Sequence, residues 1–140
     1  MSEEYKAIVR GLYDGFNEGN LDAVVEASAP DFVNYSAPRG VPSTREGWKQ
    51  LLHMFRVAFP DIHFHLEHEV AEGDLVVTRF TGHGTHEGEL MGVPPTSREV
   101  SMSGTVTLRF VDGKIVERWE NFDMYGLMVQ IGAISVPAEA

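Results

Sequence analysis

The carboxylate best placed for acid and base chemistry is Asp123, which follows a stretch bearing Trp119 and precedes the mainly apolar run from Tyr125 to Ile131. That run could shield it from water. A shielded carboxylate can take up and release a proton near neutral pH, whereas an exposed one, with a pKa of about 3.9, is a feeble base. The same side chain could instead cap the C-terminal segment or pair with an arginine.

Which residues accompany Asp123 depends on the turn around Asp112-Gly113. If these two residues alone form the loop, Asp123 shares a face with Met102, Val106 and Leu108, and Arg109 points away. If the loop is Val111-Asp112-Gly113 with a bulge, then Thr105, Thr107 and Arg109 share a face with Trp119, Asn121 and Asp123. The second register is favoured, because it gathers polar groups and one large aromatic on a single concave face, the usual make-up of a ligand pocket.

The six histidines invite a metal reading, and His63 with His65 do fall on one strand face at ligand-like spacing. No clear third ligand lies nearby, so these two, with His53, His68, His83 and His86, read as solvated side chains and no metal is expected. Gly82-x-Gly84 sits inside a strand pattern without the helix that a phosphate-binding loop opens, so no nucleotide cofactor is expected either. Phe16, Trp48, Tyr13 and Phe55 read first as core aromatics, and in so small a domain such side chains also rim a pocket.

The elements that must position these groups follow from periodicity. From Glu3 to Asn17, apolar residues recur at helical spacing (Tyr5, Ile8, Val9, Leu12, Tyr13, Phe16), and Gly19-Asn20 ends the helix. Asn20 can cap a second short helix bounded by Pro30. After the loop from Ser36 to Pro42, Ser43 and Glu46 have capping-box spacing for a third helix, with Trp48, Leu51, Leu52 and Phe55 inward. Beyond Pro60 the period becomes two, starting with Ile62, Phe64 and Leu66. Strands are expected at about Leu75–Thr85, Glu99–Phe110 and Lys114–Phe122. Helices first and antiparallel strands afterwards predict an α+β fold.

The chain has 140 residues, 43% hydrophobic and 23% charged, which suits one domain spanning residues 1–140. A formal net charge of −10 argues against nucleic acid or an anionic membrane as partner. There is no cysteine, which excludes disulfides and thiolate chemistry. The acidic start and the shortness of the apolar runs point to a cytoplasmic protein without a signal peptide or membrane span.

Several segments together resemble the SnoaL-like polyketide cyclases of the nuclear-transport-factor-2-like superfamily. They are Phe16-Asn17-Glu18-Gly19-Asn20, Pro30-Asp31-Phe32-Val33-Asn34, Phe59-Pro60-Asp61, Gly84-Thr85-His86-Glu87-Gly88, Gly92-Val93-Pro94-Pro95-Thr96, Asp112-Gly113-Lys114-Ile115 and Gln130-Ile131-Gly132. The resemblance implies a cone-shaped α+β barrel, with three N-terminal helices packed on a strongly curved, mostly antiparallel sheet. It also implies a homodimer or larger oligomer, a small-molecule substrate and no cofactor. Members close a polycyclic polyketide by an intramolecular aldol reaction with one aspartate as acid and base. That aspartate matches Asp123, and the family's pocket asparagine matches Asn34. Arg109 stands where the cyclases carry a pocket histidine, and Thr107 and Asn121 replace a second polar partner.

The expected function is therefore a cofactor-free cyclase, isomerase or hydrolase acting on an apolar carbonyl compound. Asp123 would move protons, Asn34 and Arg109 would orient the substrate, and Trp119 would form part of the wall. A non-catalytic binding module on the same fold and a hydroxylase-like or epoxide-opening relative are the alternatives.

Overall fold

In the computed structural model, which describes residues 2–136, the first helix, α1, runs from Ser2 to Asn17. Its buried residues Tyr5, Val9 and Phe16 are part of the stripe that the spacing predicts. Gly19 adopts φ 83° after the helix, a conformation glycine reaches without steric cost. The short helix α2 (Leu21–Glu26) begins at Asn20, whose side-chain oxygen accepts a hydrogen bond from the Ala23 amide. The third helix, α3, spans Arg45–Ala58. Its cap is Thr44 rather than the expected Ser43, and the Thr44 hydroxyl accepts from the Gly47 amide at 3.2 Å.

One strand is not apparent from the periodicity: β1, Ser28–Asn34, lies between α2 and α3. The others follow the alternating pattern, with β2 at His63–Glu72, β3 at Leu75–Thr85, β4 at Glu99–Val111 and β5 at Lys114–Phe122. A short helix, α4 (Met124–Gln130), closes the described chain. The sheet order is β1-β5-β4-β3-β2, with β1 parallel to β5 and every other pair antiparallel. The sheet does not close on itself, so the expected barrel is an open five-stranded sheet with β1 and β2 as its edges.

Apolar side chains decide which sheet face the helices cover. Along β4, Met102, Val106, Leu108 and Phe110 are buried, and the residues between them are more exposed. The even-numbered face is therefore the inner one. Tyr5 of α1 stacks on Phe110 with ring centroids 4.4 Å apart, and Val9 and Phe32 join the same cluster. A second cluster gathers Phe16, Leu52, Phe59, Leu90, Leu127 and Ile131 around the other end. Burying each such side chain contributes roughly 1.5–3 kcal/mol. Between the clusters, α1 and α3 stand off the sheet and leave a space.

Candidate active site

That space is a cavity of about 460 Å³. Three cross-strand rows of inward residues underlie it, and from these Phe80, Val106, Leu108, Arg118, Glu120 and Phe122 line its floor. The register aligns Val76 with Leu108 and Arg118, Thr78 with Val106 and Glu120, and Phe80 with Gly104 and Phe122. Tyr13 and Phe16 from α1 and Trp48, Leu52 and Phe55 from α3 form the wall, and Met91 and Met124 also border the space. Most of the lining is apolar, so the few polar groups stand out.

Arg118 and Glu120 are the charged pair in this lining. They lie two residues apart on β5, so both side chains project to the inner face. The Arg118 side chain is 9% exposed and that of Glu120 is 21% exposed, and Nη2 lies 3.1 Å from Oε2. The guanidinium carbon of Arg118 sits 4.0 Å from the Trp48 ring centroid, a cation–π contact. Nη1 donates to Oδ1 of Asn34, which also accepts from the Ser36 amide. Asn34 is fully buried, and its Nδ2 has no protein partner among the described residues. The Ser36 hydroxyl accepts from the Glu120 amide at 2.6 Å and donates to the Glu120 carbonyl at 3.1 Å, tying the loop after β1 to the backbone of the carboxylate.

A second polar point lies across the same floor. The Tyr13 hydroxyl meets Thr78 Oγ1 at 3.0 Å. Burial pushes the Tyr13 pKa above its ordinary 10.0, so the group stays a neutral hydroxyl at physiological pH.

The residues singled out from the sequence divide. Phe16 and Trp48 line the cavity, and Asn34 reaches it through Arg118. Five others lie elsewhere. Arg109 pairs with Glu117 and, at 3.6 Å, with Asp74. Thr107 is the register partner of Trp119, and Trp119 is 37% exposed and stacks on the exposed Tyr35 at 5.2 Å. Asn121 is exposed opposite Thr105. Asp123 is exposed at the start of α4, where its Oδ1 accepts from the Gly126 amide at 2.8 Å. Its carboxylate is thus a helix cap at the surface, not a group shielded beside the cavity.

The hairpin explains this division. Asp112 and Gly113, at φ 50° and 79°, form a two-residue turn with Val111 opposite Lys114, while a one-residue bulge at Val116 shifts the pairing beyond Arg109. The turn is that of the first register, and the shared face is that of the second. The odd-numbered polar set does gather, but on the outer face, because the aliphatic even-numbered set must lie under the helices. Past the bulge, the residues that β5 turns toward the cavity are the even-numbered Arg118, Glu120 and Phe122. Arg118 and Glu120 were legible by that logic and are absent from the set of candidates read from the sequence.

The histidines need one correction. His53, His63, His65, His68 and His83 are exposed, but His86 is fully buried, with Nδ1 accepting from the Thr96 amide. Among the described residues, no group of three or more His, Asp or Glu is arranged to hold a metal ion, and no helix is long and apolar enough to cross a membrane.

Residues 6–131 match the family model of the SnoaL-like polyketide cyclase. The chain belongs to the SnoaL-like polyketide cyclase family. Among SnoaL-like relatives, the nogalonic acid methyl ester cyclase of Streptomyces nogalater is 31% identical over 123 residues, covering 86% of this chain and 92% of that protein. Of solved SnoaL-like structures, AclR, a candidate hydroxylase from Streptomyces galilaeus, superposes with a TM-score of 0.88 at 36% identity, covering 98% of this chain and 87% of its own. IdmH, a candidate polyketide cyclase from Streptomyces antibioticus, gives 0.79 at 38% identity, with 91% and 98% covered.

Proposed function

We propose that this chain closes a ring in a polyketide-type carbonyl compound by an intramolecular aldol reaction, with Glu120 as the proton carrier. The observation that carries this reading is the position of Glu120, a carboxylate lining an apolar cavity beside the Arg118 guanidinium. The Glu120 carboxylate takes a proton from the carbon between two carbonyl groups, and the carbanion attacks a third carbonyl of the same molecule. The new alkoxide then recovers that proton from the carboxylic acid. Atoms and electrons balance within the substrate, so one positioned acid serves both halves. Arg118 stabilises the oxyanion, and Trp48 and Asn34 hold its guanidinium in place. The cyclase relative that acts on nogalonic acid methyl ester supports the same substrate class.

The test offers nogalonic acid methyl ester to the wild type and to Glu120→Gln. Ring closure leaves the mass unchanged, and the variant should lose roughly 10²–10⁴-fold in turnover while keeping the ligand's affinity. Full activity in Glu120→Gln would sink the assignment. A second reading, hydroxylation, has the similarity to AclR in its favour and predicts a product heavier by one oxygen. Binding without any product would leave the cavity as a carrier site.

A further inference from the structure

Tyr13 and Thr78 carry two hydroxyl hydrogens, and their mutual hydrogen bond at 3.0 Å uses one of them. Neither hydroxyl has a second protein partner among the described residues. Thr78 is 1% exposed, behind the cavity floor, whereas Tyr13 lines the cavity. When Thr78 donates to the Tyr13 oxygen, the Tyr13 hydrogen is the one left over. Because Tyr13 lines the cavity, a ligand seated there can accept that hydrogen.

The register gives this donor a fixed relation to the carboxylate. Thr78, Val106 and Glu120 form one row across β3, β4 and β5. Adjacent strands lie about 4.8 Å apart, so the two ends of the row are separated by about 10 Å.

We infer that the Tyr13–Thr78 pair binds a carbonyl or hydroxyl oxygen of the ligand, with Tyr13 as donor, and so selects which end of the molecule faces Glu120. This rests on the proposed function only in taking the cavity as the substrate site. Tyr13 is a positioning residue here, not a proton carrier. Burial keeps it a neutral donor, in line with that role.

The probes are fluorenone and fluorene, which share a shape and differ in one carbonyl oxygen. Binding is followed by quenching of Trp48 fluorescence in a Trp119→Phe background. The parent protein should bind fluorenone about tenfold more tightly than fluorene, the size expected for one neutral hydrogen bond. Tyr13→Phe should abolish the preference while leaving fluorene affinity within about twofold, which also shows that the cavity has survived. Thr78→Ser, which keeps the hydroxyl, should retain the preference, and Thr78→Val should weaken it. No preference in the parent protein, or an undiminished one in Tyr13→Phe, overturns the inference. Neither result depends on turnover, so each is separable from the outcome for Glu120→Gln.

Discussion

Arg118 and Glu120 face the same cavity from alternate positions of β5, and their side chains meet at 3.1 Å. Such a pair contributes little net stability, because desolvating both charges offsets their attraction. Its presence in an apolar cavity therefore points to use rather than to support.

Removing one member tests that distinction. Arg118→Met takes away the partner of Glu120 and a donor to Asn34 Oδ1. The cost should lie near or below the ~3 kcal/mol low end for breaking a buried pair, since Glu120 keeps some contact with water. In Arg118→Met/Glu120→Leu most of that stability should return, with turnover still absent. Urea unfolding of both variants, beside turnover of nogalonic acid methyl ester, reads the two effects apart. A double variant no more stable than the single would count against it.

Asp123 makes the opposite case. Its Oδ1 caps α4 through the Gly126 amide, so Asp123→Ala should lose about 0.5–2 kcal/mol, whereas asparagine caps as well and Asp123→Asn should lose only a few tenths. Turnover by folded protein should change little in either. A large fall in turnover for Asp123→Asn at unchanged stability would restore this residue as the proton carrier.

These two carboxylates show how far the sequence can be read. α1, α3 and β4 were legible because their apolar residues keep one period over nine or more positions, and β3 and β5 because the turns at Glu72-Gly73-Asp74 and Asp112-Gly113 bound them. β1 was not, because it has seven residues, contains Pro30, and pairs in parallel with β5 far along the chain. The site turned on which sheet face the helices cover. The bulge at Val116 gives the face-sharing of the favoured register although the turn has two residues rather than three, so the parity was right and the polar odd-numbered face was taken for the covered one. The aliphatic alternation of Val106, Leu108 and Phe110 did specify the covered face. Joined to the correct parity, it leads to Arg118 and Glu120 and away from Arg109, Trp119 and Asn121.

Acid sensitivity should trace partly to Asp61. Its carboxylate accepts from the Thr85 hydroxyl and from the Thr85 amide, both at 2.7 Å, and these bonds hold its pKa below the ordinary 3.8. The folded state therefore binds this proton more weakly than the unfolded chain does. The contribution is complete above the unfolded value and is lost as pH falls through the depressed one. Thermal melting followed from about pH 5 to pH 2 should decline less steeply in Asp61→Asn than in the wild type. Parallel curves would remove Asp61 from the explanation.

Gly104 occupies the middle of the aromatic row on the cavity floor, between Phe80 and Phe122, whose rings stack at 6.3 Å. A methyl group there would meet the Phe80 ring at 2.7 Å and the Asn121 carbonyl oxygen at 2.8 Å. The ring can turn, but the carbonyl belongs to the β5 backbone and cannot retreat without moving the strand that carries Glu120. Gly104→Ala should therefore cost about 1–3 kcal/mol, as overpacking does, and should also weaken fluorene binding as Phe80 is pushed into the cavity. Both losses should be partly recovered in Gly104→Ala/Phe80→Leu, where the smaller side chain makes room for the methyl group. If the double variant is no more stable than Gly104→Ala, the strain lies against β5 alone and the floor is fixed by the backbone, not by the aromatic row.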